Sequence, residues 1–200
     1  ASDVYKRQPL KGVMSMTNSN VDAYRDMVIE GYAVIFNSIS KMTPNGYREK
    51  IMPTAFDGVD VSDVKCLVDH DWGQLIGRTK SGTLEINVDE KGLKFKCYLP
   101  NTSTGRDIYE NIKLGNIDEC SFFYTLPQKN EGSRHWEMQD GDYVHVVHQV
   151  SELREISIVT MPAYDDTSVI VAQRSEDLTH VKELEQMKIA LDIESLRFET

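Results

Sequence analysis

Regular alternation of apolar and polar residues on both sides of a short turn is the feature that most constrains the fold of this chain. Apolar side chains occupy every second position before the turn and again after it: Leu84, Ile86 and Val88, then Leu93, Phe95, Cys97 and Leu99. The turn between the two runs contains Asp89 and Gly92. A period of two is typical of a strand with one buried face, so these residues predict a β-hairpin packed on a core.

Further strands are predicted wherever a short apolar run is bounded by polar or turn-forming residues. They cover residues 32–36, 64–68, 117–126, 143–150 and 153–159. Proline, glycine and polar residues predict loops over 41–58 and 127–142, whereas residues 104–114 predict a helix capped by Thr104. The expected fold class is therefore mainly β with peripheral helices (α+β), arranged as a barrel or a sandwich.

The hydrophobic pattern divides the chain into one folded unit and two flanking segments. Residues 1–27 lack periodicity and predict a flexible N-terminal arm, and residues 28–174 are the predicted domain. Residues 175–200 predict an amphipathic C-terminal helix, because apolar side chains recur there at helical spacing: Leu178, Val181, Leu184, Met187 and Leu191. Such a helix serves either for docking to a scaffold or a second copy of the chain, or for packing back on the domain.

Charge and cysteine content narrow the functional class. The formal net charge of −10 disfavours a nucleic-acid partner, because such binding needs clustered Lys and Arg. Three cysteines without a Cys-x-x-Cys pair disfavour a disulfide framework or a zinc ribbon and favour a reducing compartment. No apolar run reaches the roughly 20 residues of a membrane span. We therefore expect a cytoplasmic protein that binds neither nucleic acid nor membrane and uses no cofactor or metal ion.

Three polar residues next to or within apolar runs are candidates for chemistry, and each has a plainer interpretation. His70 follows the predicted strand 64–68 and is either a general base or a surface histidine in a turn. Ser121 lies in an apolar strand and is either a nucleophile or a partner of neighbouring backbone. Glu155 is expensive to bury unpaired, so it either orients a histidine or forms an ion pair, for example with Arg154.

Two alternative sites are less favoured by the pattern. Cys120 or Cys66 could serve as the nucleophile of a cysteine peptidase, although a cysteine in an apolar run is more often a small core residue. His135, His145 and His148 could bind a metal, but His145 and His148 are three positions apart and would point to opposite faces of a strand. The chain has no Gly-x-Ser-x-Gly motif, which disfavours an α/β-hydrolase.

Taken in order, the segments resemble one known family, the caudovirus prohead serine proteases, from about Gly31 to Val171. The segments that resemble the family are Gly31-Tyr32-Ala33, Pro53-Thr54-Ala55-Phe56, His70-Asp71-Trp72, Leu75-Ile76-Gly77-Arg78-Thr79, Gly115-Asn116-Ile117, Ser121-Phe122 and Glu155-Ile156-Ser157-Ile158-Val159. The chain departs from the family around the serine. Glu119-Cys120 stands where Gly-Met is usual, and Phe123 stands where the family usually has glycine.

The resemblance implies a serine endopeptidase with a His70, Ser121 and Glu155 triad, on a β-barrel of about seven strands like that of the herpesvirus maturation proteases. It also implies that the substrates are the phage scaffold, segments of the major capsid protein and the protease itself. The enzyme would act inside the assembling prohead in the host cytoplasm, and a homodimer is a further hypothesis. The alternative from another class is a catalytically inactive capsid scaffold or assembly protein of the same fold.

Overall fold

Eleven strands and one α-helix make up the part of the chain that the computed structural model describes, residues 27–128 and 131–172. The strands are β1 (Val28–Ile35), β2 (Arg48–Ile51), β3 (Lys65–Val68), β4 (Asp71–Arg78), β5 (Leu84–Val88), β6 (Gly92–Tyr98), β7 (Glu119–Thr125), β8 (Arg134–Gln139), β9 (Asp142–Val147), β10 (Glu152–Val159) and β11 (Ser168–Val171). The helix α1 spans Ser103–Lys113, and 3₁₀ turns occur at Thr79–Ser81 and Glu131–Ser133. No helix in these ranges is long and apolar enough to cross a membrane.

The strands form three sheets rather than one closed barrel. Sheet A has the order β11-β1-β6-β5, sheet B has β4-β3-β10-β7, and sheet C has β2-β9-β8. The mainly β class is confirmed, but the expected closed barrel of about seven strands is not found within the described residues. Where sheets A and B meet, the Thr167 hydroxyl bridges the backbone N–H and C=O of Cys120, and Val169 donates one backbone bond to Asp118. Closure of a barrel would need a continuous ladder there.

The predicted hairpin is confirmed as β5 and β6. Its strands pair in antiparallel register, with Leu84 opposite Cys97 and Ile86 opposite Phe95, and all four side chains are buried. The Asp89 carboxylate accepts the N–H groups of the turn, at 2.8 Å from Lys91 and 3.0 Å from Gly92. Burial of each large apolar side chain contributes about 1.5–3 kcal/mol, so this face is a main contributor to the core that sheets A and B share.

Two segments expected to be loops contain strands instead. Strand β2 lies within 41–58 and β8 within 127–142, and they pair with the two sides of β9. Both are rich in charged and polar residues, so neither shows the alternation that predicts a strand. Their charges are neutralised by partners within sheet C: Lys50 lies 2.7 Å from Glu137, and Arg48 lies 2.7 Å from Asp142. The sheet is therefore stabilised by ion pairs that only the folded chain brings together.

The helix is confirmed, but its cap is a different threonine. The predicted cap, Thr104, lies inside the first turn of α1. The N-cap is Thr102, which has extended backbone angles and whose hydroxyl accepts the Gly105 N–H at 3.1 Å. Only an extended residue ahead of the helix can direct its side chain at the first free N–H groups. The N-terminal arm up to residue 26 and the C-terminal helix predicted over 175–200 lie outside the described residues.

Candidate active site

Sheet B presents Ser121 and Glu155 side by side on one face. Strand β10 lies between β3, to which it is parallel, and β7, to which it is antiparallel. In the β7–β10 ladder Ser121 is opposite Ser157, and Phe123 is opposite Glu155. Paired residues point to the same face of a sheet, so these four side chains share a face, which we call the site face. The alternate residues, including Cys120, belong to the core on the other face.

His70 reaches the site face from a two-residue turn between β3 and β4. Val68 pairs with Asp71, which leaves Asp69 and His70 as the loop of a hairpin. Their φ angles are 47° and 59°, and positive values at both positions are required by a type I′ turn. Neither residue is glycine, so each carries a backbone strain of about 1–3 kcal/mol. Strain of this kind persists only where surrounding bonds hold the turn in place.

Hydrogen bonds to β10 and the residue after it hold this turn in place. The Asp69 N–H donates to the Ile158 carbonyl at 2.9 Å, and the Asp69 carboxylate accepts the Thr160 N–H at 3.0 Å. The His70 N–H donates to the Ser157 hydroxyl at 3.1 Å. Two of these bonds go to β10 and the third goes to Thr160, directly after it. The central strand of the sheet therefore fixes the position of the imidazole relative to Glu155.

The His70 ring is hydrogen-bonded to Glu155. Its Nδ1 lies 2.7 Å from Glu155 Oε1, and the other carboxylate oxygen accepts the Ser157 hydroxyl at 2.5 Å. Glu155 is only 1% exposed, whereas the histidine is about half exposed. Two hydrogen bonds therefore compensate a carboxylate that would be costly to bury alone. Arg154, the other partner considered from the sequence, instead lies 3.3 Å from Glu152.

The carboxylate determines which ring nitrogen can act as a base. An ionised carboxylate only accepts hydrogen bonds, so Nδ1 of His70 carries the proton and Nε2 of the neutral ring has a free lone pair. The hydrogen bond to Glu155 raises the pKa of His70 above its ordinary value of 6.5, and partial burial opposes this shift. The charges of Glu155 and Asp69 raise the pKa further. The pair therefore stabilises the protonated ring that forms when a base accepts a proton.

Ser121 lines the same cleft as His70 and Glu155. The cleft has a volume of about 370 Å³ and is completed by three aromatic residues, Trp72, Phe122 and Phe123. Ser121 is 7% exposed, and within residues 27–128 and 131–172 its hydroxyl makes no hydrogen bond. This disfavours the interpretation of Ser121 as a partner of neighbouring backbone. All three residues singled out in the sequence thus meet in one cleft.

The cysteines do not face this cleft. Cys120 is buried on the opposite side of β7, where its Sγ lies 3.3 Å from the Ser168 carbonyl, and burial raises the pKa of its thiol. Cys66 is also buried, and its hydrogen bond with Cys97 together with burial raises its pKa. A nucleophilic cysteine needs access and a lowered pKa. Neither thiol meets these conditions.

The remaining histidines considered from the sequence lie in and around sheet C. His135 Nδ1 is 2.9 Å from His148 Nε2, whereas His145 is buried and lies 3.6 Å from Glu49. The structure therefore places His145 apart from the other two. In the described ranges, no three His, Cys, Asp or Glu side chains are grouped so that they could hold a metal ion.

The residue that bonds both Glu155 and His70, Ser157, was not predicted from the sequence as part of the site. It is fully buried and bonds both the Glu155 carboxylate and the His70 backbone. The spacing could have indicated this contact, because Glu155 and Ser157 are two positions apart and such residues point to the same face of a strand. An uncharged serine in an apolar strand is otherwise hard to distinguish from a core residue.

A comparison with protein families identifies a family for this chain. Residues 14–183 match the family model of the caudovirus prohead serine proteases, which covers most of the chain and extends beyond both ends of the predicted domain. No curated protein and no solved structure gives a significant match.

Proposed function

The chain belongs to the caudovirus prohead serine protease family, and on this premise we propose that Ser121 is its nucleophile, His70 its general base and Glu155 the residue that orients the histidine. The observation that supports this assignment best is the 2.7 Å contact between His70 Nδ1 and Glu155 Oε1 in the cleft that Ser121 lines. A buried carboxylate bonded to Nδ1 of an imidazole, with a serine hydroxyl in the same cleft, provides the three groups of a serine-protease triad, in which Nε2 accepts the serine proton.

Acylation begins with attack of Ser121 Oγ on the carbonyl carbon of a peptide bond. His70 Nε2 accepts the hydroxyl proton as the Oγ–C bond forms, and Glu155 stabilises the resulting imidazolium. The tetrahedral intermediate then collapses, and the C–N bond breaks. The proton on Nε2 is transferred to the leaving amine, so that His70 returns to its neutral form. The product of this half-reaction is an ester between the substrate's acyl group and Ser121.

Deacylation repeats the sequence with water as the nucleophile. His70 Nε2 accepts a proton from water while the oxygen attacks the ester carbonyl. Collapse of the second tetrahedral intermediate breaks the bond to Ser121, whose Oγ takes the proton back from His70. The carboxylic acid product leaves, and the enzyme is regenerated. Throughout both steps Ser157 keeps the second carboxylate oxygen of Glu155 occupied, so that Oε1 stays directed at the imidazole.

Family membership also supports a proposal about which proteins the enzyme cleaves. We propose that the enzyme cleaves the phage scaffold, segments of the major capsid protein and its own chain, within the assembling prohead in the host cytoplasm. Confinement in the prohead would prevent cleavage of the scaffold before assembly. The homodimer and the docking role of residues 175–200 remain predictions.

Cleavage of a purified scaffold or capsid precursor tests this function. We expect the wild-type protein to cleave the precursor and the Ser121→Ala variant to be folded and inactive. Cys120→Ala is the matched control, because Cys120 is adjacent in sequence and faces the core. That variant should remain active. Cleavage by Ser121→Ala would refute the assignment, and precursor binding without cleavage by the wild type would favour an inactive assembly protein.

A further inference from the structure

Two large aromatic side chains beside the cleft are exposed to solvent. Trp72 is 58% exposed and Phe123 is 47% exposed, and both line the cleft that contains Ser121. Exposed aromatic surface costs free energy in water, and where it adjoins a concave site it commonly marks a contact with a ligand. By comparison, the core aromatic residues Phe56 and Phe95 are each only 1% exposed, so the described residues leave much more of the Trp72 and Phe123 rings in contact with solvent.

One ring comes from β7, the strand that holds the nucleophile, and the other from the start of β4, directly after the turn that holds the base. Phe123 follows Ser121 by two positions on β7, so it points to the site face, opposite Glu155. Trp72 follows His70 by two positions, in the part of β4 where the ladder is irregular between the Val68–Asp71 and Leu67–Leu75 pairs. A peptide bond placed at Ser121 would therefore have an aromatic ring close to it from each of these two elements.

The third aromatic residue of the cleft, Phe122, lies between Ser121 and Phe123 on β7, so its ring points to the core face of sheet B. Its ring stacks on Tyr124 with centroids 5.7 Å apart and contacts Tyr164 at 5.9 Å. Both tyrosine hydroxyls donate to one carboxylate, that of Glu49, at 2.5 Å and 3.1 Å. The part of β7 that carries Ser121 and Phe123 is thus held by aromatic packing on its core face, which keeps the cleft in a defined shape.

We propose that Trp72 and Phe123 form a specificity subsite that accepts a large apolar side chain of the substrate, at the residue adjoining the scissile bond. This inference rests on the proposed function and adds a substrate class to it. A volume of about 370 Å³ is near the lower end for ligand sites and has room for only one or two side chains. An acidic side chain at the same place would be repelled by the carboxylate of Glu155, which lines the cleft.

A peptide library with every residue type equally represented tests the subsite through cleavage. We expect cleavage positions, read by mass spectrometry, to be enriched in Phe, Leu, Met, Tyr and Trp. In Trp72→Ala and Phe123→Ala, kcat/KM for the apolar peptides should fall about 10- to 100-fold, the range for a poorly filled apolar pocket. The rate of labelling by a small fluorophosphonate, which reports the nucleophile alone, should change less than about threefold by the same reasoning, since the reagent has no side chain to fill the pocket.

Trp136→Ala is the matched control, because Trp136 is 56% exposed but belongs to β8 in sheet C. It should leave both the cleavage preference and the labelling rate unchanged. Enrichment of charged or small residues would overturn the proposal, and so would an unchanged preference in both cleft variants. Absence of fluorophosphonate labelling in the wild type would instead contradict the proposed function.

A binding measurement tests the subsite without any chemistry. The chain has two tryptophans, so in the Trp136→Phe, Ser121→Ala double variant Trp72 is the sole tryptophan. We would titrate this protein, up to millimolar concentration, with two alanine-based hexapeptides that carry a single Phe or a single Asp at the centre. The Phe peptide should shift the Trp72 emission to shorter wavelength, and the Asp peptide should not. No shift, or equal shifts with both peptides, would overturn the proposal.

Discussion

Replacement of Glu155 by glutamine removes one negative charge from the centre of the site and keeps the shape of the side chain. The carboxylate now accepts two hydrogen bonds, from His70 Nδ1 at 2.7 Å and from the Ser157 hydroxyl at 2.5 Å. An amide can accept only through its single oxygen, so one of these contacts must change to a bond donated by the amide nitrogen. If that nitrogen faces Nδ1, the imidazole is forced into the wrong tautomer.

The expected loss of activity is larger than the expected loss of stability. Without the charge, the imidazolium formed during acylation lacks its partner, and triad acids in other proteases contribute a factor on the order of 10²–10⁴ in rate. That factor corresponds to about 3–5 kcal/mol in the activation barrier. The folded state loses hydrogen bonds to a charged group, about 1.5–3 kcal/mol, which would lower Tm by about 3–12 °C in a chain of this size.

The assay measures kcat/KM and Tm on the same sample of Glu155→Gln and of Glu152→Gln. Glu152 is the matched control, because it begins the same strand, is half exposed and pairs with Arg154 outside the cleft. The control should retain nearly all activity. If Glu155→Gln melts at a lower temperature but keeps near-normal turnover, Glu155 has only a structural role, and the reasoning about orientation of His70 is refuted.

Four further predictions concern His70, Ser157 and Thr102. Activity should rise with pH through a midpoint above 6.5, because Glu155 raises the pKa of His70 and only the neutral ring accepts a proton. A pH–rate profile that is flat from pH 5 to 9 would contradict this. The His70–Glu155 pair should stabilise the fold fully below about pH 6.5 and lose that contribution as pH rises through the raised pKa, which urea unfolding at several pH values would detect. Ser157→Ala should lower kcat/KM about tenfold or more by freeing Glu155 Oε2, and an unchanged rate would remove its positioning role. Thr102→Ala should cost about 1 kcal/mol in urea unfolding and Thr104→Ala less, and the reverse order would contradict the assigned cap.

The parts of the fold that the sequence predicts are those with a strong hydrophobic period. The hairpin of β5 and β6 and the helix α1 have one, and the strands β7 and β10 were predicted instead from short apolar runs. Strands β2 and β8 are charged, and they are stabilised by contacts such as Lys50 with Glu137 that depend on the tertiary fold. The joining of the sheets was not predictable either, because the bonds of Thr167 with Cys120 and of Val169 with Asp118 connect segments about 50 residues apart in sequence.

One contact of the candidate site could be predicted from the sequence, because a buried charged side chain needs a hydrogen-bonding or ionic partner. Glu155 in an apolar strand called for one, and the structure places His70 beside it. The positive φ angles of Asp69 and His70 were not predictable, since aspartate and histidine also occupy turns with negative φ. The exposure of Phe123 was not predictable either, because a large aromatic residue in an apolar strand is normally expected in the core.

The identity of the residue that a fluorophosphonate modifies tests the central claim most directly. Peptide mapping of the labelled wild-type protein by mass spectrometry should find the adduct on Ser121 alone. Labelling should be abolished in Ser121→Ala and slowed in Glu155→Gln, because the reagent reacts only with a hydroxyl that His70 activates. An adduct on Ser157, or labelling that survives Ser121→Ala, would contradict the account.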